Sequence, residues 1–192
     1  MKLDRKMREC EHDFTLVLTG ITPETTGVED ALFNAKCDDA TLAFRMNRPV
    51  LSFSRTAGSL KAAILIAIND VRRANFGADV LRVDYCNLVT QADIARKIAR
   101  TRQLVHLYMT GKRGPGGFPG PACELSNGVW LWYWCEVAYW LLQNDMIKAE
   151  VLQNADDVEA INCTLEMQYK VKNNPALTQE IEESIGSSCQ QP

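Results

Sequence analysis

The period of apolar and polar positions changes several times along the chain, and each change marks an expected element. His12–Thr19 alternates through Phe14, Leu16 and Leu18, which predicts a strand. Gly20-Ile21-Thr22-Pro23 breaks it. From Pro23 to about Lys36, Val28, Ala31, Leu32 and Ala35 recur at helical spacing and predict a short amphipathic helix. Ala40–Arg45 and Val50–Ser54 read as two strands, and the Met46-Asn47-Arg48-Pro49 link between them is short enough for a hairpin. Ser59 is a good N-cap for a helix whose stripe is Leu60, Ala63, Ile64, Ala67, Ile68 and Val71, with Leu65 and Ile66 widening it. That helix should end around Arg73–Asn75. Asp79–Tyr85 then sets Leu81, Val83 and Tyr85 on one face of a strand. The order β-α-β-β-α-β predicts a split-βαβ, ferredoxin-like layer over residues 12–86.

The next stretch, 87–143, has a different rhythm. Asn87 or Thr90 can cap a helix reaching about Ala99, with Leu88, Ile94, Ala95 and Ile98 inward. Thr101 can cap a second helix, Arg102–Thr110, whose Leu104, Val105 and Tyr108 face the first. A basic loop rich in glycine and proline follows, Gly111-Lys112-Arg113-Gly114-Pro115-Gly116-Gly117-Phe118-Pro119-Gly120-Pro121. Ser126-Asn127-Gly128 separates the apolar runs Ala122–Leu125 and Val129–Trp132 and predicts a second hairpin. Trp134, Val137, Ala138 and Leu141 line a closing helix. The four tryptophans of the chain stand between 130 and 140, and at this spacing they read as the core of a small domain. Beyond Gln143, Val158, Ile161, Leu165 and Tyr169 suggest one more amphipathic helix within an acidic extension, 144–172. Residues 1–11 read as a flexible lead-in and 173–192 as a disordered tail. The fold class expected is α+β: the ferredoxin-like layer, a winged helix-turn-helix, then C-terminal helices.

Composition narrows the functional classes. With 46% hydrophobic residues the chain can bury a core, and no run approaches the roughly 18 apolar residues that a membrane span needs. The charged N-terminus lacks an apolar signal core. The seven cysteines are odd in number, scattered and without a C-x-x-C pair, which argues against a disulfide framework or zinc site and for a reducing cytoplasm. Cys37 and Cys86 read as buried structural thiols, and Asp38-Asp39 as a solvated turn. No nucleophile-base pair, metal set or nucleotide loop stands out, so no enzyme activity and no cofactor is expected.

The net charge of −3 conceals a strong asymmetry. Residues 88–121 hold six basic residues against one acidic, whereas 122–192 hold three against eleven. Basic charge concentrated in one short segment is the footprint of a phosphate-contacting surface, and on charge alone it fits a solvated basic face equally well. Within it, a short helix carrying Arg102, Gln103 and His106 on its exposed side could enter a major groove, where Arg pairs with guanine acceptors and Gln with the adenine edge. Gln91, Arg96 and Lys97 on the preceding helix, the helix start at Thr101, and the loop residues Lys112 and Arg113 would meet phosphates.

The segment TQADIARKIARTRQLVHLYMTGKRGPGGFPGP, followed by LWYWCEVAYWL, resembles bacterial winged helix-turn-helix proteins of the MerR and excisionase kind. The likeness covers roughly residues 87–143. It rests on the A-x-x-I-A-x-x-I-A helix, the threonine-started second helix, the G-x-R-G-P-G-G-F-P loop and the W-x-x-E-V-x-x-W-L closing helix. Cys135 stands where such proteins usually cap the closing helix with Ser or Thr. The resemblance implies DNA contact by Arg102, Gln103 and His106, with Lys112 and Arg113 beyond. The expectation is therefore a cytoplasmic, nucleoid-associated, sequence-specific double-stranded DNA-binding protein. It would be a bacterial or phage transcriptional regulator working as a homodimer, with the first domain dimerising or sensing a small-molecule or protein effector. The alternatives are an excisionase-like factor that bends DNA and an antitoxin-like protein-interaction module.

Overall fold

The computed structural model describes residues 9–186, a mixed α/β chain that divides into two compact units. The first unit comprises residues up to Asp84 together with those from Ala160 onward; the second is Tyr85–Glu159.

In the first unit, β1 (Cys10–Thr19), β2 (Ala40–Arg45), β3 (Arg48–Ala57) and β4 (Asp79–Val83) form one antiparallel sheet in the order β2-β3-β1-β4. Helices α1 (Val28–Asn34) and α2 (Leu60–Ala74) supply the apolar residues facing it. Leu16, Leu18, Leu51, Ala63, Ile64 and Ala67 are wholly buried. The Ser59 hydroxyl accepts the Ala62 N–H and starts α2 where the sequence indicates.

Several boundaries differ from the expectation, each for a local reason. β1 begins at Cys10 because Cys10 and Glu11 pair with Ala57 and Thr56 of a β3 longer than its apolar run. The lead-in is thus strand from Cys10; residues 1–8 of it lie outside the described residues. α1 begins only at Val28, since Pro23 starts a turn closed by the Thr25 N–H on the Thr22 carbonyl. The β2–β3 link is a two-residue turn, Met46-Asn47, both with positive φ (47° and 64°), the geometry that matches strand twist. Leu65 and Ile66 do not widen the buried stripe of α2: they are 41% and 47% exposed, because they fall on the flank away from the sheet.

Asp39 is not a solvated turn residue. Arg55 is buried on β3 and donates Nε and Nη2 to the Asp39 carboxylate at 2.6 and 2.7 Å and Nη1 to Asp70 of α2 at 2.8 Å. These bonds, first those to Asp39, hold the guanidinium even more firmly protonated than usual. The pattern hid this triad because its members come from separate segments, the turn before β2, β3 and α2. Cys37 is buried as expected, and burial pushes its thiol pKa up. Cys86 is exposed, with its thiol donating to the Leu88 carbonyl, so it is not a buried thiol.

The second unit contains β5 (Leu88–Val89), α3 (Gln91–Lys97), α4 (Arg102–Met109), β6 (Cys123–Glu124), β7 (Trp130–Tyr133) and α5 (Trp134–Gln143). The three strands make a small antiparallel sheet in the order β5-β7-β6. Its core gathers Val89, Ile94, Ala95, Val105, Trp132, Trp134, Val137, Ala138, Trp140, Leu141 and Ala155. Leu88, expected inside a helix, is instead paired with Tyr133 across the sheet. Tyr133 occupies the cap of α5 without a side-chain bond, so Cys135 lies inside the helix.

α6 (Ala149–Asn173) belongs in part to each unit. Ala155 and Val158 are buried residues of the second, and Ile161, Asn162 and Leu165 of the first, whereas Tyr169 is exposed. Residues 173–186, read from sequence as tail, are helical except at Asn174: Pro175 cannot donate to α6 and instead opens α7 (Pro175–Gly186). Residues 187–192 of the expected tail lie outside the described residues. Among the described residues no helix is long and apolar enough to cross a membrane.

Candidate functional site

The site is assembled from two capped helices. Thr90 and Asp93 form a reciprocal capping box at α3. The Thr90 hydroxyl accepts the Asp93 N–H at 3.2 Å, and Asp93 Oδ2 accepts the Thr90 N–H and hydroxyl at 3.0 and 2.7 Å. The hydroxyl bond from Thr90 is the main reason the Asp93 pKa falls below the usual carboxylate range, and Arg96 adds to it. α3 ends at Lys97; two residues on, Ala99 turns the chain with a φ of 51°, and the Arg100 N–H returns to the Ala95 carbonyl at 2.9 Å. Thr101 then caps α4 by accepting the Leu104 N–H at 3.2 Å. Ile94, Ala95 and Val105 fill the space between the helices, with Ala95 small where they approach.

This geometry divides the nine DNA-contact candidates. Arg102, Gln103 and His106 are exposed on α4, and their side chains have no hydrogen-bond or ion-pair partner among the described residues. Lys112 and Arg113 are also exposed with free side chains; their backbone N–H groups both donate to the Leu107 carbonyl, at 2.9 and 3.1 Å, which fixes the start of the loop. The other four have intramolecular work. Gln91 Nε2 donates to the Arg102 carbonyl at 2.7 Å and so holds the first turn of α4. Arg96 pairs with Asp93 at 2.9 Å while staying exposed. Lys97 lies 4.2 Å from the Tyr85 ring centre and 4.8 Å from that of Trp134, and donates to the Tyr85 hydroxyl at 3.1 Å. Thr101 is committed to its cap. Periodicity shows which residues are outward, not which already have partners.

The glycine-rich loop is pinned to the core by indole N–H groups. Trp140 Nε1 donates to the Gly116 carbonyl at 2.8 Å and Trp132 Nε1 to that of Pro119 at 3.1 Å. Phe118 meets Trp140 edge-on, with centroids 5.0 Å apart. Gly114 has φ 86°, and a Cβ there would lie 2.9 Å from the Tyr108 ring, so the close approach needs glycine. Three of the tryptophans are therefore core, as their spacing suggests, and two of them also anchor the loop.

Trp130 is the exception. It opens β7 and is 49% exposed beside the Asn127-Gly128 turn. That turn is closed by the Leu125 N–H on the Val129 carbonyl at 2.8 Å and by Asn127 Oδ1 accepting the Val129 N–H. Between α4 and this hairpin runs a cleft of about 820 Å³, floored by Met109, Phe118 and Trp132. Gln91, Arg102 and His106 line one side and Trp130 the other. Gln103, Lys112, Arg113, Arg96 and Lys97 do not line it. The spacing that reads all four tryptophans as core does not show that Trp130 stands clear at the strand's end, which depends on where β7 begins.

Cys135 lies in a second recess of about 480 Å³ with Trp140, Tyr139 and Asp156, and burial pushes its pKa up to about 12, with Glu159 adding to the shift. Its thiol is therefore a poor nucleophile. Among the described residues no group of three or more His, Cys, Asp or Glu side chains is arranged to hold a metal. No family model matches the chain, and no curated protein or solved structure matches it significantly.

Proposed function

We propose that this protein binds double-stranded DNA sequence-specifically as a transcriptional regulator, associated with the nucleoid and acting as a homodimer. The second unit is read as a winged helix-turn-helix of the MerR and excisionase kind. α3 and α4 supply the two helices, and the β6–β7 hairpin supplies the wing. The first unit is read as a ferredoxin-like layer, a reading supported by its order β2-β3-β1-β4 with every neighbour antiparallel.

One observation carries the reading. α4 presents Arg102 and Gln103 in its first turn, next to its cap, and His106 in its last turn, all three unpartnered and exposed, in a segment with six basic residues against one acidic. Arg and Gln in this setting read guanine and adenine edges, and the free Lys112 and Arg113 beyond them suit phosphates. Gln91, Lys97 and Thr101 act in this account by holding the helices in place. The test is selection of bound duplexes from a random pool with the full chain at near-physiological salt. An enriched motif is expected, and a two-fold motif for a dimer. Recovery of an unenriched pool would defeat the reading.

A second reading, DNA bending, draws on the half-exposed Trp130 at the start of β7 beside the hairpin turn, because exposed apolar side chains that wedge between base steps kink the duplex. Gel mobility of circularly permuted sites separates it from simple regulation.

A further inference from the structure

The two edges of the four-stranded sheet are treated differently. At the β4 edge the backbone of Val83 is occupied: its N–H donates to Asn162 Oδ1 at 2.7 Å, and its carbonyl accepts from Asn162 Nδ2 at 3.3 Å. Asn162 is 2% exposed, so this edge is closed by a buried side chain. Among the described residues the β2 edge has no such cover.

The register shows which groups it leaves open. Arg45 and Arg48 flank the two-residue turn, and the Ser54 N–H donates to the Asp39 carbonyl at 3.2 Å. In an antiparallel ladder the residues that exchange bonds alternate, so Thr41, Ala43 and Arg45 direct their backbone groups toward β3. Leu42 and Phe44 direct theirs outward, and among the described residues these N–H and carbonyl groups have no partner. Exposed edges are normally blunted by lysine, proline or a bulge. Ala40–Arg45 has none of these, and its one charge, Arg45, is engaged by Asp84 at 2.6 Å. Beside the edge lies a recess of about 300 Å³, lined by Leu42, Phe44, Pro23 and Val28, that can receive side chains of an added strand.

We propose that β2 is a self-association edge that pairs antiparallel with β2 of a second copy, joining the two sheets into one. The edge is complementary to itself. With the two-fold axis at Ala43, Leu42 of each copy faces Phe44 of the other, and all the outward backbone groups of these residues are satisfied together. The apolar side chains of Leu42 and Phe44 meet on the helix-covered face. Thr41 faces Arg45 of the second copy, so no like charges oppose. The proposal specifies the homodimer of the preceding section but does not depend on DNA binding; duplex selection and mass measurement can fail separately.

Ala43 is exposed, so a longer side chain there leaves the single sheet intact. Sedimentation equilibrium of the full chain up to about 100 µM, within the range of weak specific association, should show a species of twice the 21.5 kDa chain mass. Ala43→Lys and Ala43→Glu each place like charges across the axis and should weaken association about tenfold or more. Mixing the two variants should restore it. Exchange of the Leu42 and Phe44 amides should be slow in the dimer and fast in either variant alone. A wild-type chain that stays monomeric, as it would if the edge served another protein's strand, overturns the proposal. So does continued dimerisation of both variants, or failure of the mixture to associate while circular dichroism shows both folded.

Discussion

At the scale of single residues, the contrast that matters on the second unit is between side chains with partners and side chains without. Arg102 and Lys112 are both exposed and cationic, yet the DNA reading gives them different consequences. Arg102→Ala should cost about 1–3 kcal/mol on the preferred duplex and relax preference at one base position, as measured by binding to single-base variants of the selected site. Lys112→Ala or Arg113→Ala should weaken all duplexes alike and lower the salt slope by about one each. Equal, sequence-independent losses at all three positions would leave α4 without a reading role. Position 91 shows why exposure alone misleads: polar and near the surface, Gln91 spends its amide on the Arg102 carbonyl.

At the scale of elements, α3 depends on its capping box, and that makes part of the second unit's stability depend on pH. The folded-state pKa of Asp93 is lowered, chiefly by the Thr90 hydroxyl, so its contribution is present above the unfolded value and is lost as pH falls through the folded one. Asp93→Ala should therefore reduce the melting temperature at pH 7, by the equivalent of about 1 kcal/mol for a lost cap interaction. As the pH falls through the lowered folded-state pKa, the wild-type carboxylate is itself protonated and the two melting curves should converge. A difference that persists unchanged in acid would show that Asp93 acts through packing and not through its charge. The loop after α4 depends on the core in a similar way. Its glycines give it its path, but the Trp132 and Trp140 indoles fix where that path lies.

At the scale of the whole molecule, the part of α6 from Ala160 onward belongs to the first unit, although more than seventy residues separate it from β4. Ile161 and Leu165 are buried there, and Asn162 closes the Val83 edge. A chain ending at Glu159 should expose these contacts and hand the Val83 backbone groups to water, at about 0.5–1.5 kcal/mol for each hydrogen bond lost, besides the lost burial of Ile161 and Leu165. Thermal unfolding followed by tryptophan fluorescence and far-ultraviolet circular dichroism should then separate. All four tryptophans lie in Tyr85–Glu159, so the sheet signal should melt earlier than the fluorescence. Coincident transitions at the wild-type temperature would assign no stabilising role to the returning helix.

The sequence by itself determined the local elements and their caps. The strand alternation of β2, the stripe behind Ser59, and the threonines at 90 and 101 act within a few residues, and the backbone follows them. It also marked the tryptophan cluster as core, which holds for Trp132, Trp134 and Trp140 but not for the half-exposed Trp130. Only the tertiary structure decided which outward polar residues are free. Arg55 finds Asp39 and Asp70, Lys97 finds Tyr85 and Trp134, and Asn162 finds Val83 through contacts between segments whose approach no local period encodes. The same holds for the unpaired edge of β2. Which backbone groups face outward follows from the pairing register, and that register is fixed by the partner strand, not by the six residues of the edge.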